Sequence, residues 1–165
     1  MEKVYKAGVL TVSDKCSRGE RKDDSGVAAA RILEKEGFCL AKKKIVPDNI
    51  QQIADTLIEW VDNDRLSLIV TSGGTGLSPT DVTPQAMEEV IDYKVPGIAE
   101  AMRASSLKKT AHAMLSRAIG GVRGSCLIIN LPGSPNGVKE NLSVVLPALK
   151  HGLSKLAGDT TDCAT

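Results

Sequence analysis

"LSLIVTSGGTGLSPTD", residues 66–81, carries the clearest indication of how this chain folds. Its first six residues, 66–71, are mostly apolar and predict a strand that is buried on both faces, as strands of parallel sheets are. Three glycines within 73–76 follow this strand, and no lysine comes directly after them. A strand that runs into a glycine loop is typical of α/β proteins whose ligands bind at the carboxyl ends of the strands.

Strands and helices alternate on both sides of this stretch. Apolar periodicity and capping residues predict strands at 6–12, 38–46, 66–71 and 125–131, helices at 23–37, 48–64 and 138–157, and short helices within 84–119. The alternation predicts an α/β fold, a single domain with a mostly parallel, doubly wound sheet and helices on both faces. We expect the domain to cover residues 1–165, with a short C-terminal tail from about residue 158.

The composition excludes several classes of function. The chain has 165 residues, which suits one domain, and its net charge of +1 favours neither a nucleic acid nor a membrane surface as partner. The four cysteines are far apart and indicate neither a zinc site nor a disulfide framework: Cys16, Cys39, Cys126 and Cys163. No apolar run approaches the ~18 residues of a membrane span, and the N-terminus does not resemble a signal peptide. We therefore expect a cytoplasmic protein.

Small, polar or acidic residues follow every predicted strand. They are residues 13–20, 47–49, 72–81 and 132–137. Because the carboxyl ends of parallel strands meet at one edge of a sheet, these segments predict one shared site. The glycine loop lacks the lysine of a P-loop, and Pro79 interrupts the dinucleotide-binding pattern. Its backbone N–H groups could still converge on an anion, and a tight turn without a ligand is the alternative.

Asp81 lies five residues after the last glycine of the loop, where a carboxylate would repel a phosphate. A Mg²⁺ ion between them would remove the conflict, since Mg²⁺ is usually held by one or two carboxylates together with substrate phosphates. Asp48 is the candidate for the second carboxylate. Its alternative role is the N-cap of helix 48–64, with Gln51 completing a capping box. Asp14 and Asp81 could likewise be ordinary turn residues.

The loops after the strands offer no histidine, because His112 and His151 both lie in predicted helical stretches. Cys16 is the only cysteine in these loops, and an ordinary loop thiol is favoured over a nucleophile. A site that combines carboxylates, a metal ion and backbone amides without a protein nucleophile is typical of phosphoryl or nucleotidyl transfer.

Eight motifs, in this order along the chain, resemble the Mog-type molybdopterin adenylyltransferases of the MoaB/Mog family. They are TVSD (11–14), DDSG (23–26), VPD (46–48), SGGTG (72–76), DVTP (81–84), PGIAEAMR (96–103), MLSR (114–117) and NLPGSP (130–135). The resemblance covers about residues 5–157 and extends to the G domain of gephyrin. It implies a trimeric molybdopterin-binding fold. It also implies a step of molybdenum cofactor biosynthesis, in which Mg²⁺ and ATP are used to adenylylate molybdopterin with release of pyrophosphate.

The resemblance also implies roles for individual residues. Asp48 and Asp81 match the catalytic, metal-binding positions. The residues that match nucleotide-binding positions are Ser13, Asp14, Ser72, Gly73, Gly74, Thr75, Gly76 and Glu100. Those that match molybdopterin-binding positions are Ser106, Ser116, Arg117, Pro132, Gly133, Ser134 and Pro135.

The chain departs from the family pattern at two positions. Thr80 stands where many relatives carry arginine, and Gln85 stands where they carry an acidic residue. We expect no second domain of the kind that inserts molybdate in fused relatives, and therefore expect a separate protein to perform that step. Two other classes of function stay open: a non-catalytic molybdopterin-binding or scaffold protein of the same fold, and an unrelated nucleotide-binding domain. The motifs do not separate the adenylyltransferases from the closely similar MoaB proteins.

Overall fold

The computed structural model describes residues 4–161; the last residues of the predicted tail, with Cys163, lie outside this range. Its strands are β1 (Lys6–Val12), β2 (Cys39–Val46), β3 (Leu68–Ser72), β4 (Tyr93–Lys94), β5 (Gly120–Arg123) and β6 (Cys126–Leu131). Its α-helices are α1 (Asp14–Ser17), α2 (Asp24–Lys35), α3 (Ile50–Asp62), α4 (Thr83–Val90), α5 (Pro96–Leu107) and α6 (Pro135–Leu156), with a 3-10 helix at Ala111–Leu115.

The strands form one six-stranded sheet in the order β2-β1-β3-β6-β5-β4. The first four strands of this order are parallel, whereas β5 and β4 are antiparallel to their neighbours. Both antiparallel strands were missed by the sequence, which predicted only short helices between 84 and 119 and no element at 120–123. The pattern gives little signal there, because β4 has two residues and β5 reads Gly-Gly-Val-Arg.

Helices cover both faces of the sheet, so the predicted fold class is confirmed. On one face, α2, α5 and α6 bury residues such as Leu33, Met102 and Leu142 against the sheet. On the other face, α3 and α4 do the same with residues such as Leu57 and Met87. The central strand β3 lies under both layers, which is why its residues Leu68–Ser72 are buried throughout.

The helix ends differ from the prediction at one position that matters for the site. Helix α3 begins at Ile50, and its N-cap is Asn49, whose side chain accepts a hydrogen bond from the N–H of Gln52 at 2.9 Å. The predicted N-cap role of Asp48 is therefore wrong.

Among residues 4–161, no helix combines the length and the apolar character that a membrane crossing needs.

The chain leaves β1 toward one face of the sheet and leaves β3 toward the other, although the two strands are neighbours. Helix α2, after β1, packs on one face, and α4, after β3, packs on the opposite face. Such a switch point opens a crevice beyond the carboxyl ends of the strands, where ligands of doubly wound folds bind.

Candidate functional site

The glycine loop after β3 is held tightly between the ends of two neighbouring strands. Gly73 has φ +103° and donates its N–H to the carbonyl of Leu131 at 3.1 Å. A Cβ at Gly73 would collide with the carbonyl oxygen of Val12. The hydroxyl of Thr83, in the first turn of α4, donates to the carbonyl of Gly73 at 2.8 Å. Only glycine can occupy this position without a shift of the backbone.

Asp81 closes the far end of the loop. Its carboxylate accepts a hydrogen bond from the N–H of Ser78 at 3.0 Å, so the turn contact considered from the sequence is present. A Cβ at Gly76 would lie only 2.8 Å from Oδ2 of Asp81. Glycine at this position therefore leaves room for the carboxylate beside the loop.

Asp48 is fixed by a reciprocal pair of hydrogen bonds with Asp14. The N–H of Asp14 donates to Oδ2 of Asp48, and the N–H of Asp48 donates to Oδ1 of Asp14, each at 2.9 Å. Burial raises the pKa of the Asp48 carboxyl; the negative charges of Asp14 and Asp81 also raise it, while the hydrogen bond from Asp14 N–H and the charge of Arg21 oppose the rise. Asp14 thus orients Asp48 through the backbone of two adjacent strand ends.

Both Asp48 and Asp81 line a cavity of about 450 Å³ at the carboxyl ends of β1, β3 and β6, which we call the aspartate cavity. Its other lining residues include Thr11, Val12, Ser13, Cys16, Arg21, Lys22, Asp24, Ser25, Ser72, Gly73, Gly74, Gly133, Ser134 and Pro135. Helices α2 and α6 begin at this cavity, and the N-terminal ends of helices favour anions.

The two carboxylates suit a Mg²⁺ ion that is shared with substrate phosphates. Within residues 4–161, neither Asp48 nor Asp81 forms an ion pair. The same residues contain no group of three or more histidine, cysteine, aspartate and glutamate side chains placed to hold a metal ion alone. Two carboxylates with room for phosphate oxygens are a usual protein contribution to such a site.

A second cavity, of about 400 Å³, lies beside the first, and we call it the serine cavity. Ser106 of α5, Ser116 after the 3-10 helix and Ser134 before α6 line it, together with apolar groups such as Met102 and Leu115. Ser134 lines both cavities, so the two adjoin at the start of α6. Each cavity has a volume within the ~300–1,000 Å³ that is usual for small-molecule sites.

The structure brings most of the predicted site residues together, but it divides them differently from the prediction. Those at the aspartate cavity are Ser13, Asp48, Ser72, Gly73, Gly74, Asp81, Gly133, Ser134 and Pro135. Those at the serine cavity are Thr75, Gly76, Ser106, Ser116, Pro132 and Ser134. The glycine loop and the loop at 132–135 therefore each contribute to both cavities.

Three predicted contact residues line neither cavity. Asp14 orients Asp48, as described above, and Glu100 is exposed on α5. Arg117 donates from Nε to the carbonyl of Gly76 at 2.8 Å and from Nη2 to the carbonyl of Asp81 at 2.7 Å. It therefore braces the glycine loop. The geometry of the single chain gives no support to the predicted ligand contacts of Asp14, Glu100 and Arg117, which stay predictions.

Several polar residues at the cavities were missed by the sequence. Arg21 and Lys22 line the aspartate cavity, whereas Arg103 and the buried Asn141 line the serine cavity. Arg103 donates to the carbonyls of Ser116 and Ala118 at 3.3 and 3.1 Å. The only available signal for Arg21 was its place in the loop after β1, while Arg103 and Asn141 look like ordinary helix residues in the sequence.

Known proteins resemble the chain in sequence over almost its whole length. Residues 8–151 match the family described as "Probable molybdopterin binding domain". A curated molybdopterin adenylyltransferase of Helicobacter pylori is 39% identical, with 92% of this chain and 88% of the relative aligned, and that of Escherichia coli is 37% identical, with 91% and 80% aligned. Gephyrin of Dictyostelium discoideum is 41% identical over 92% of this chain, which spans only 22% of that relative's length.

Solved structures agree with these matches. The molybdopterin biosynthesis enzyme MoaB of Thermus thermophilus is 49% identical and superposes with a TM-score of 0.89, covering 94% of this chain and 98% of the other. A structure of MogA is 42% identical, with a TM-score of 0.87 and coverage of 92% and 99%. The resemblance that the motifs indicated is confirmed, and the chain belongs to the family of probable molybdopterin binding domains.

Proposed function

We propose that this protein is a molybdopterin adenylyltransferase that acts in molybdenum cofactor biosynthesis. A phosphate oxygen of molybdopterin attacks the α-phosphorus of ATP, the bond between the α-phosphorus and the bridging oxygen to the β-phosphate breaks, and pyrophosphate leaves. The curated relatives of Helicobacter pylori and Escherichia coli carry the name of this activity and align with most of the chain.

One observation carries the proposal. Asp48 and Asp81, two carboxylates without an ion-pair partner in the described part of the chain, line one cavity with a glycine loop that has no lysine. Their charge would exclude a polyphosphate unless a cation accompanied it. Mg²⁺, when bound by these two residues, supplies the positive charge that makes the α-phosphorus accessible to an anionic acceptor.

The two cavities suit the two substrates. Backbone N–H groups and the helix N-termini at the aspartate cavity favour the phosphates of ATP. The serine cavity offers hydroxyl groups beside apolar side chains, which suits a polar heterocycle such as a pterin. Because Ser134 lines both cavities, a molecule in each would bring the acceptor phosphate and the nucleotide together at the start of α6.

The protein supplies orientation and charge rather than a nucleophile. The acceptor phosphate is already an anion, so no side chain needs to remove a proton from it. Asp14 holds Asp48 by two hydrogen bonds, and Arg117 holds the carbonyl of Asp81, so both carboxylates sit on fixed backbone. Preorganised charge of this kind is the main contribution of proteins to phosphoryl and nucleotidyl transfer.

The proposal includes the remaining expectations from the sequence, namely a homotrimer in the cytoplasm that passes its product to a separate molybdate-insertion protein. An apolar groove between α5 and α6, beside the edge strand β4, could accept another copy of the chain. Light scattering at micromolar concentration should give a mass of about three times 17.4 kDa. A monomer would contradict the assembly and leave the proposed chemistry in place.

The activity is tested with purified molybdopterin, ATP and a Mg²⁺ titration, by measuring adenylyl-molybdopterin and pyrophosphate. The key variant is Asp81→Asn, which can keep the hydrogen bond from Ser78 but removes the charge. We expect turnover to fall at least ~10²-fold, the effect of losing one electrostatic stabiliser of a transition state. The stability should change by no more than about 1 kcal/mol, because Asp81 is partly exposed.

Asp55→Asn is the matched control, since Asp55 is an exposed carboxylate on α3 that bonds to Gln51 at 2.7 Å. This variant should form adenylyl-molybdopterin at the rate of the parent. Turnover of Asp81→Asn at the parent rate throughout the Mg²⁺ titration would show that Asp81 has no metal role. A parent protein that binds molybdopterin but forms no product would favour the non-catalytic scaffold instead.

A further inference from the structure

The positive side chains at the aspartate cavity come from the loop between α1 and α2, not from the glycine loop. Residues 72–81 contain neither lysine nor arginine, so the loop that cradles an anion in other nucleotide-binding proteins brings no positive side chain here. Arg21 and Lys22 are the cationic residues that line this cavity. They face it together with Asp24, Asp48 and Asp81.

Arg21 is oriented by a buried hydroxyl. Its Nη2 donates to Oγ of Ser13 at 3.0 Å, and the same oxygen accepts from the N–H of Cys16 at 3.2 Å. Ser13 is 7% exposed and directly follows β1, so it ties the guanidinium to the end of a central strand. Lys22 has no comparable contact of its ammonium group with the rest of residues 4–161.

Within the described range 4–161, Arg21 forms no ion pair with a carboxylate. Arg18, three residues earlier on the same loop, forms an ion pair with Glu20 at 2.7 Å. Arg21 instead acts electrostatically on Asp48, whose carboxylate form it favours. An oriented guanidinium without an ion-pair partner, at a cavity that suits anions, is able to form paired N–H contacts with phosphate oxygens.

The charge balance of the cavity requires such a group. Three carboxylates and two cations leave the lining negative before any ligand enters. One divalent cation reverses the sign, but the lining then has only one positive charge in excess, fewer than the several negative charges of a triphosphate chain. A positive side chain that touches the phosphates is therefore expected to contribute strongly to binding.

We propose that Arg21, held by the hydroxyl of Ser13, binds the polyphosphate chain of the nucleotide and takes the place of the missing loop lysine. This rests on the proposed function only in that a nucleoside triphosphate occupies the aspartate cavity. The contribution grows with the number of phosphates, since Arg21 contacts the chain and not the nucleoside.

The test is calorimetric titration of ATP, ADP, AMP and adenosine, with MgCl₂ and without molybdopterin, into the full chain. Arg21→Ala should weaken ATP binding about tenfold or more, weaken ADP binding less and leave adenosine binding within twofold of the parent. The ATP affinity of Arg21→Lys should lie between that of Arg21→Ala and that of the parent, because lysine keeps the charge but lacks the paired N–H groups of the guanidinium. Arg18→Ala is the matched control and should bind all four ligands like the parent.

An equal loss of affinity for all four ligands, or no loss for ATP, would overturn the proposal. Thermal unfolding of each variant shows whether Arg21→Ala is folded; if it is not, the ATP-to-adenosine ratio of Arg21→Lys decides instead. The binding pattern does not depend on turnover. If the parent forms no adenylyl-molybdopterin while the phosphate-dependent loss persists, the proposed function fails and the role of Arg21 stands.

Discussion

The aspartate cavity and the serine cavity differ in how the chain builds them. The first is walled largely by the ends of strands and the loops after them, with residues such as Ser13, Asp48 and Gly73, and the carboxylates of Asp48 and Asp81 accept hydrogen bonds from backbone N–H groups. The second lies farther along the sheet edge and is walled by side chains of α5, the 3-10 helix and the first turns of α6.

This difference suits two kinds of ligand. Backbone N–H groups at the sheet edge hold two like charges near each other, those of Asp48 and Asp81. Helix side chains instead offer hydroxyl and apolar groups at several depths, as Ser106 and Met102 do. A polyphosphate needs fixed charge, whereas an organic ring needs a shaped surface.

The largest effect is expected at Gly73, where the aspartate cavity depends on the backbone. Gly73→Ala would place a Cβ against the carbonyl oxygen of Val12 at a φ of +103°. We expect the free energy of unfolding to fall by about 3 kcal/mol, from backbone strain and overpacking together. Urea denaturation measures this loss. In the folded fraction, ATP affinity should fall more than molybdopterin affinity.

Gly97→Ala is the control for a glycine without such a constraint. A Cβ there meets nothing within 4 Å, and Gly97 lies in the first turn of α5. The variant should be as stable as the parent or slightly more stable, by about 0.5 kcal/mol. If Gly73→Ala and Gly97→Ala have the same free energy of unfolding, the glycine loop is not a rigid element.

A smaller effect is expected at the serine cavity. Ser106→Ala removes a hydroxyl that lies 3.4 Å from Oδ1 of Asn141 and lines only that cavity. We expect molybdopterin affinity to fall about fivefold, the effect of one hydrogen bond, with ATP affinity unchanged. Fluorescence titration with each ligand measures both affinities.

Ser134→Ala provides the contrast, because Ser134 lines both cavities and caps α6 through the N–H of Gly137 at 3.1 Å. This variant should weaken the binding of both ATP and molybdopterin and lower the free energy of unfolding by about 1 kcal/mol. If Ser106→Ala weakens both ligands equally, the division into two cavities is wrong.

The smallest effect concerns the pH dependence of stability. Burial, with the charges of Asp14 and Asp81, raises the pKa of Asp48 above its ordinary value, so the folded state binds this proton more tightly than the unfolded state. Its stabilising contribution is full below about pH 3.9 and is lost as the pH rises through the raised pKa. The Asp48→Asn variant should therefore gain stability relative to the parent over that window. Urea denaturation between pH 4 and 7.5 measures the difference in the free energy of unfolding between Asp48→Asn and the parent. A difference that narrows with rising pH would contradict a raised pKa of Asp48.

Much of the fold was predictable because its signals are local. The apolar run before the glycine loop predicted a central strand, and β3 is buried at Leu68–Ser72. Asp23 was expected near the start of a helix, and it caps α2 through the N–H of Gly26 at 2.9 Å. The strands β4 and β5 were not predictable, because two residues and a Gly-Gly pair carry no period.

The sequence alone was enough to indicate the alternation of strands and helices, the position of the glycine loop and the presence of Asp48 and Asp81 in loops that follow strands. Hydrophobic period and turn chemistry act over a few residues, and the sequence displays them directly. The three-dimensional structure was needed to show that Asn49 caps α3, that Asp14 orients Asp48, that Arg117 braces the glycine loop and that Arg21 faces the carboxylates. The partner of a polar side chain depends on which elements meet at the sheet edge. That meeting joins residues far apart in the chain, 41 positions in the Arg117–Gly76 contact and 60 positions in the contact between Ser72 and Pro132.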